Sequence, residues 1–159
     1  MRSRVGAHQS LFDKIDSLSK SATGLPSSVE MESVKAELCK YCCVLASAAI
    51  DLCIEDCLLE YSERGRDQRI GAFIKKQISR ARNPTIGILC AMLESFDQDW
   101  KVGLETYATD PIRSDIGSIV HNRNEIAHGR NSTITFGRLL PWIKTAKGLC
   151  GEIERIIFP

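Results

Sequence analysis

The sequence lacks several features that mark common classes of nucleotide-binding and membrane proteins. Its 159 residues contain no glycine-rich phosphate loop, no alternating strand pattern and no internal repeat. The longest mostly apolar run has fourteen residues, Tyr41 to Ile54, whereas a helix needs about 20 to cross a bilayer. The first residues contain no apolar segment of the kind found in secretory signals. We therefore expect a cytoplasmic protein with no membrane-spanning helix.

A strong excess of charge of one sign is also missing, since the net charge is +1. Such a chain creates no global field that would attract nucleic acid. The basic residues are instead concentrated in one stretch that holds a single acid, Asp67. They are Arg64, Arg66, Arg69, Lys75, Lys76, Arg80 and Arg82. Two interpretations stay open: a solvated helix face, or a contact for the phosphate backbone of RNA.

Paired cysteine motifs and nearby histidines, which zinc sites usually need, are not evident. The chain has three histidines, and none lies close in sequence to a cysteine. The cysteines are odd in number and fall mostly within predicted helices, where a disulfide scaffold would scatter them through loops. They are Cys39, Cys42, Cys43, Cys53, Cys57, Cys90 and Cys150. We interpret them as small apolar core residues in a reducing compartment, and we expect neither a metal nor a cofactor. Proximity to a histidine in space stays open.

What the sequence does contain is a succession of helical patterns. Residues 1–26 are polar and rich in serine, with at most a short helix and an exposed His8. Ser27 opens a capping-box pattern that predicts the start of a long central helix, and Asn83 is predicted to cap a later one. The fold class is therefore all-α, with one helical domain over residues 27–159 that forms a bundle of five to seven helices.

The clearest helix runs from Asp110 to Gly129. Asp110 suits the N-cap, Pro111 the first helical position, and Gly129 the left-handed residue just past the end. Its apolar stripe contains Ile112, Ile116, Ile119, Val120, Ile126 and Ala127. Arg123 falls in the middle of that stripe, where a guanidinium needs an anionic partner or a cleft. His128 stands at the last turn before the glycine.

The segment from Arg123 to His128 resembles the motif of the HEPN family (higher eukaryotes and prokaryotes nucleotide-binding domain). It reads RNEIAH and is followed by Gly129, so that four residues separate the arginine from the histidine. The resemblance covers roughly residues 30–157 and is closest to the compact bacterial ribonuclease-like branches. It implies a HEPN-like helical bundle that dimerises, and a cleavage of RNA that needs no metal.

The resemblance also implies a role for each motif residue. Arg123 would bind the phosphate and stabilise its developing charge, and His128 would transfer the proton. Asn124 would bind the phosphate or hold the histidine. An acid on an early core helix is expected as well, at Asp51 or Glu55. The products would carry 2′,3′-cyclic phosphate and 5′-hydroxyl ends.

One arginine and one histidine leave a second proton carrier missing. Members of the family supply it by dimerising, so that two motif helices line a shared groove. His121, seven residues before His128, is a further candidate. A purely structural alternative remains, in which Arg123 pairs with an acid such as Asp51 or Glu55. In that case His128 simply occupies a helix C-terminus, where positive charge is favourable.

The sequence therefore leaves two functions of different classes open. The first is an endoribonuclease of the toxin or phage-defence type, acting on cellular RNA as a homodimer, with an antitoxin protein as a candidate partner. The second is a non-catalytic helical module that holds a nucleotide or docks a partner protein. A small transcriptional regulator is disfavoured, because no helix-turn-helix pattern with a basic recognition helix is present.

Overall fold

Seven helices and no strand make up the part of the chain that the structure describes. The structure is a computed structural model, and it describes residues 6–64, 68–78 and 83–159. The helices are α1 (Gln9–Thr23), α2 (Val29–Arg64), α3 (Gln68–Ile78), α4 (Ile86–Glu94), α5 (Gln98–Tyr107), α6 (Asp110–Ala127) and α7 (Phe136–Ile157). The prediction of an all-α bundle is confirmed, with the helix count at the upper end of the expected range.

Helix α2 is the centre of the bundle, because it packs against α1, α3, α6 and α7. The apolar run in its middle explains this position, since side chains such as Cys43, Ile50 and Ile54 are buried there. Apolar burial of this kind stabilises a fold by about 25 cal/mol per Å². Among the described helices, none is both long and apolar enough to cross a membrane.

Helices α2 and α7 run in the same direction. The thiol of Cys53 on α2 approaches Cys150 on α7, and one turn further along both helices the thiol of Cys57 approaches the carboxylate of Glu154. The Cys53 thiol also lies 3.7 Å from the carbonyl oxygen of Cys150, in the geometry of a weak hydrogen bond. Two successive turns of each helix are therefore in register.

Helix α6 runs opposite to both of these helices. A connection of eight residues, 128–135, joins it to α7, and the hydroxyl of Thr145 on α7 donates to the carboxylate of Asp115 on α6 (2.6 Å). On its other side α6 contacts α2, where the Cys43 thiol approaches the carbonyl oxygen of Ile119 (3.6 Å). The end of α6 that carries the predicted motif therefore points toward the first half of α2.

Helix α1 contributes to the same core. Phe12 and Ile15 are fully buried, and the carboxylate of Asp16 forms an ion pair with Lys147 on α7 (2.7 Å). His8, immediately before α1, is only 5% exposed. The expectation that His8 is exposed is wrong. The apolar face of α1 packs on α2, and this packing buries the start of α1 together with His8.

Three helix starts differ from the sequence prediction by one or two residues. Ser28 rather than Ser27 caps α2, and Thr85 rather than Asn83 caps α4. Both hydroxyls accept a hydrogen bond from the backbone N–H three residues further on, at 3.3 and 3.4 Å. Asp110 is itself the first residue of α6 rather than its cap. Runs of adjacent polar residues offer several caps of similar quality, and packing selects among them.

Candidate active site at the end of α6

The C-terminal end of α6 is closed by backbone hydrogen bonds around Gly129. This glycine has φ +67°, the left-handed conformation predicted from the sequence. The N–H groups of Gly129 and Arg130 donate to the carbonyls of Ile126 (3.1 Å) and Glu125 (2.8 Å). The pattern is a Schellman motif, which satisfies the last carbonyls of the helix. His128 is the C-cap residue, and its side chain is exposed.

Arg123, one turn earlier, is half-buried and oriented by two amide side chains. Its Nη1 donates to Oδ1 of Asn124 (3.1 Å) and to Oδ1 of Asn83 (3.4 Å). Within residues 6–64, 68–78 and 83–159, no carboxylate forms an ion pair with this guanidinium. The two amides are neutral, so they fix the direction of the side chain without compensating its positive charge.

Asn83 is a site residue that sequence reasoning did not identify. It lies in the connection before α4, forty positions from Arg123. Its backbone has φ +75°, the left-handed region that Asn tolerates better than most residues. The only sequence signal is an Asn in a loop before Pro84, and this is more typical of a cap or turn than of a contact to a distant arginine.

The structure does not bring the two candidate acids of α2 to Arg123. Cys43 lies beside Ile119, and Asp51 and Glu55 follow it by roughly 12 to 18 Å along the α2 axis, at 1.5 Å per residue. Arg123 lies beyond Ile119 in the opposite direction, because the two helices are antiparallel. No ion pair joins Arg123 to either acid in the described part of the chain.

His121, the candidate second proton carrier, is exposed on α6. It precedes His128 by seven positions, so the two imidazoles leave the helix within about 20° of each other. Both therefore face the same side of α6, roughly two turns apart. The remaining polar groups nearby hold the connection to α7, since the hydroxyl of Ser132 donates to Oδ1 of Asn122 (3.0 Å).

The basic stretch is exposed where the structure describes it. Arg64, at the end of α2, pairs with Glu60 (2.9 Å) and lies 4.4 Å above the ring of Phe158. Three further members lie on α3 and are exposed: Arg69, Lys75 and Lys76. Three others lie outside the described residues: Arg66, Arg80 and Arg82. The structure therefore gives a basic exposed face on α3, with Arg64 turned toward the last residues of the chain.

A comparison of the chain with models of known protein families gives a match to a family of helical domains. A family model described as RiboL-PSP-HEPN matches residues 9–158, nearly the whole chain. The chain belongs to the RiboL-PSP-HEPN family. The resemblance drawn from the motif is thereby confirmed, and a HEPN domain is helical, as the described structure is. Membership supports a ribonuclease-like or RNA-related role in general terms. No curated protein and no solved structure gives a significant match to the chain.

The motif of this HEPN chain offers one arginine and one exposed histidine. They are five residues apart on α6, which corresponds to about 140° around the helix axis and about 7.5 Å along it. A single phosphate bound at one face of the helix would therefore contact one of the two groups more easily than both together. A second HEPN chain, with its own α6 alongside, would present the same groups from the other side.

Proposed function

We propose that this HEPN protein is a metal-independent endoribonuclease whose site is shared between two copies of the chain. In the proposed reaction the 2′-hydroxyl of RNA attacks the adjacent phosphorus. A bond forms between O2′ and phosphorus, and the bond from phosphorus to O5′ breaks. One imidazole removes the proton of the 2′-hydroxyl, and another donates a proton to the departing 5′-oxygen. The ends are then a 2′,3′-cyclic phosphate and a 5′-hydroxyl.

The observation that carries the proposal is that Arg123 has no carboxylate partner among the residues that the structure describes. A half-buried guanidinium in a structural role normally has a carboxylate partner, because desolvating an unpaired charge is costly. Here its partners are the neutral amides of Asn83 and Asn124, at 3.4 and 3.1 Å. Such a guanidinium is suited to a phosphate that gains negative charge in the transition state.

The shared site follows from the number of proton carriers. The reaction needs a base and an acid, and the motif of each chain supplies one imidazole, that of His128. Two α6 helices related by a two-fold axis would supply two imidazoles and two guanidinium groups to one groove. His121 of the same chain is the other candidate for the second proton transfer.

Cleavage assays on purified protein test the assignment. We expect RNA cleavage in the presence of EDTA, with 2′,3′-cyclic phosphate ends identified by mass spectrometry. Arg123→Ala and His128→Ala should each lower the rate by about a hundredfold or more, since positioned proton transfer and charge stabilisation each contribute on that scale. The matched control is Arg155→Ala, which removes an exposed arginine paired with Glu152 on α7. Full activity of a folded His128→Ala protein would refute the role of the imidazole.

A growth assay separates this proposal from a non-catalytic binding module. A nuclease of the toxin type should slow bacterial growth when it is expressed without its antitoxin. Arg123→Ala should relieve that effect, while the Arg155→Ala control should not. Equal growth with the wild-type and Arg123→Ala proteins, together with absent cleavage in vitro, would favour a module that holds a nucleotide or a partner protein.

A further inference from the structure

A second cluster of reactive side chains lies where α1, α2 and α7 meet. His8 precedes α1, Cys53 lies on α2 and Cys150 lies on α7, and all three are buried. One ligand-type atom of each, a ring nitrogen or a sulfur, lies within 4.8 Å of the others. Cys53 also belongs to a second such group, with Cys57 and Glu154. The cluster therefore brings together three thiols, one imidazole and one carboxylate.

Two polar atoms in this cluster have no hydrogen-bond partner among the described residues. The side chain of His8 is 7% exposed, and its Nδ1 is buried without a partner. Oε1 of Glu154 is also buried and has no hydrogen bond among the described residues. Its contact with Nε2 of His8 is an ion pair of 3.6 Å when the imidazole is protonated, which is longer than a hydrogen bond. Buried polar atoms are nearly always satisfied, so their concentration at one point indicates a group that both could bind.

We propose that His8, Cys53, Cys150 and Glu154 bind a zinc ion, with Cys57 beside it. Two sulfurs, one imidazole nitrogen and one carboxylate oxygen are ligands that zinc takes in four-coordinate sites. With zinc–sulfur bonds near 2.3 Å and zinc–nitrogen bonds near 2.1 Å, tetrahedral ligand atoms lie about 3.5 to 3.8 Å apart. The ligand atoms of His8, Cys53 and Cys150 all lie within 4.8 Å of one another, so a contraction of at most about 1 Å would bring them to that spacing. The carboxylate of Glu154, which is grouped with Cys53 and Cys57, would turn toward Cys150 to complete the set.

The pairwise contacts favour Glu154 as the fourth ligand. Its carboxylate approaches both His8 and Cys53. It also lies four residues after Cys150, on the same face of α7, as neighbouring ligands on a helix should. The thiol of Cys57, one turn after Cys53, lies within 4.8 Å of both Cys53 and Glu154 and would therefore be next to the metal. The metal would be structural, since α2, α7 and the residue before α1 supply the ligands and protein groups fill every position.

The proposed site is independent of the nuclease proposal. It lies beside the turns of α2 that carry Cys53 and Cys57, whereas the end of α6 points toward the first half of that helix. Its role would be to tie the start of α1 to α2 and α7, and the free energy of zinc binding would add to that of folding. No RNA assay is needed to test it.

Metal content of the purified, reduced protein tests the site directly. We expect about one zinc ion per chain by elemental mass spectrometry, and its loss in Cys53→Ser, Cys150→Ser and His8→Gln. His121→Gln and Cys90→Ser are the matched controls, because His121 is exposed and the buried Cys90 lies on α4. Both should keep the metal. X-ray absorption at the zinc edge should show two sulfur neighbours and two nitrogen or oxygen neighbours.

Thermal unfolding gives a second readout if a cysteine variant does not fold. A strong zinc chelator should lower the Tm of the wild-type and His121→Gln proteins by several degrees, and it should leave the Tm of His8→Gln unchanged. The proposal is overturned if reduced apoprotein titrated with zinc binds none. Equal zinc in His8→Gln and wild type would also overturn it, as would a disulfide between Cys53 and Cys150 in the isolated protein.

Discussion

At the scale of single residues, the contrast between amide and carboxylate partners decides what Arg123 is able to do. A carboxylate at the same position would both orient the guanidinium and neutralise it. The amide oxygens of Asn83 and Asn124 orient it only. Because amide and carboxylate side chains have nearly the same shape, each Asn→Asp substitution should change the charge at the site without moving the arginine.

We therefore expect Asn124→Asp to weaken RNA binding by about tenfold or more, since hydrogen bonds to charged groups are worth about 1.5 to 3 kcal/mol. Asn83→Asp should act in the same direction, because Asp also tolerates a positive φ. Fluorescence anisotropy of a labelled RNA at fixed salt measures the change. The control is Asn131→Asp, an exposed position in the α6–α7 connection. An equal loss of affinity in that control would mean that net charge, rather than contact with Arg123, causes the effect.

Three core thiols on α2 give a pH prediction. Burial raises the pKa of Cys39 and Cys43 to about 12 and that of Cys42 to about 11, from an ordinary value of 9.0. Below pH 9 these thiols are protonated in both folded and unfolded chains. Above it the unfolded chain releases protons that the folded chain retains, so unfolding becomes more favourable as pH rises, up to about pH 11 to 12.

Urea unfolding between pH 8.5 and 10.5 measures this loss of stability. Each thiol should increase the equilibrium constant for unfolding by up to about tenfold per pH unit once the pH exceeds its unfolded pKa. Lysines and tyrosines titrate in the same range, so the comparison is with Cys42→Ala. That variant should show a pH dependence smaller by one proton, and an unchanged slope would contradict the assigned role of burial.

At the scale of elements, the end of α6 depends on one left-handed residue. Gly129→Ala should destabilise the protein by roughly 1 to 2 kcal/mol, the cost of a left-handed conformation for a residue with a Cβ. Apart from Gly129 and its two chain neighbours, no heavy atom of the described residues lies within 4 Å of the position that this Cβ would occupy, so the cost is conformational rather than a clash with other residues. Because His128 immediately precedes the glycine, cleavage activity should fall together with stability.

Gly117→Ala is the matched control for that substitution. Gly117 lies inside α6 with helical geometry, and a Cβ built there also meets nothing within 4 Å. Alanine in a helix interior is favoured over glycine by roughly 0.5 to 1 kcal/mol, so this variant should be more stable than wild type. Urea unfolding measures the free energy of unfolding of both variants. A change of the same sign in the two would contradict the proposed role of Gly129.

The same helix shows what could be predicted from the sequence. Its span and its left-handed Gly129 follow from local rules about caps and periodicity, and both agree with the structure. The contact between Arg123 and Asn83 spans forty residues and depends on how α4 packs, which no local rule contains. The burial of His8 was missed for the same reason, because it depends on where the whole of α1 docks.

At the scale of the whole molecule, the described bundle separates the two proposed sites along α2. The cluster of His8, Cys53, Cys57, Cys150 and Glu154 lies beside the second half of α2, where α1 and α7 meet it. The motif end of α6 points toward the first half of α2. The core between them consists of apolar side chains and buried thiols. Substitutions in one cluster should therefore leave the measured property of the other nearly unchanged, as expected for distant sites without shared partners.

The proposed shared site makes a quantitative prediction about mixed dimers. Light scattering should give a mass of twice 17.7 kDa for the wild-type protein. If wild-type and His128→Ala chains are unfolded together and refolded in equal amounts, random pairing leaves about a quarter of the dimers with two imidazoles. A groove that needs both imidazoles should then retain about a quarter of the wild-type rate. Two independent sites, each complete within one chain, should instead retain about half of the wild-type rate. That result, or a monomeric mass, would mean that each chain supplies both proton carriers, with His121 as the second.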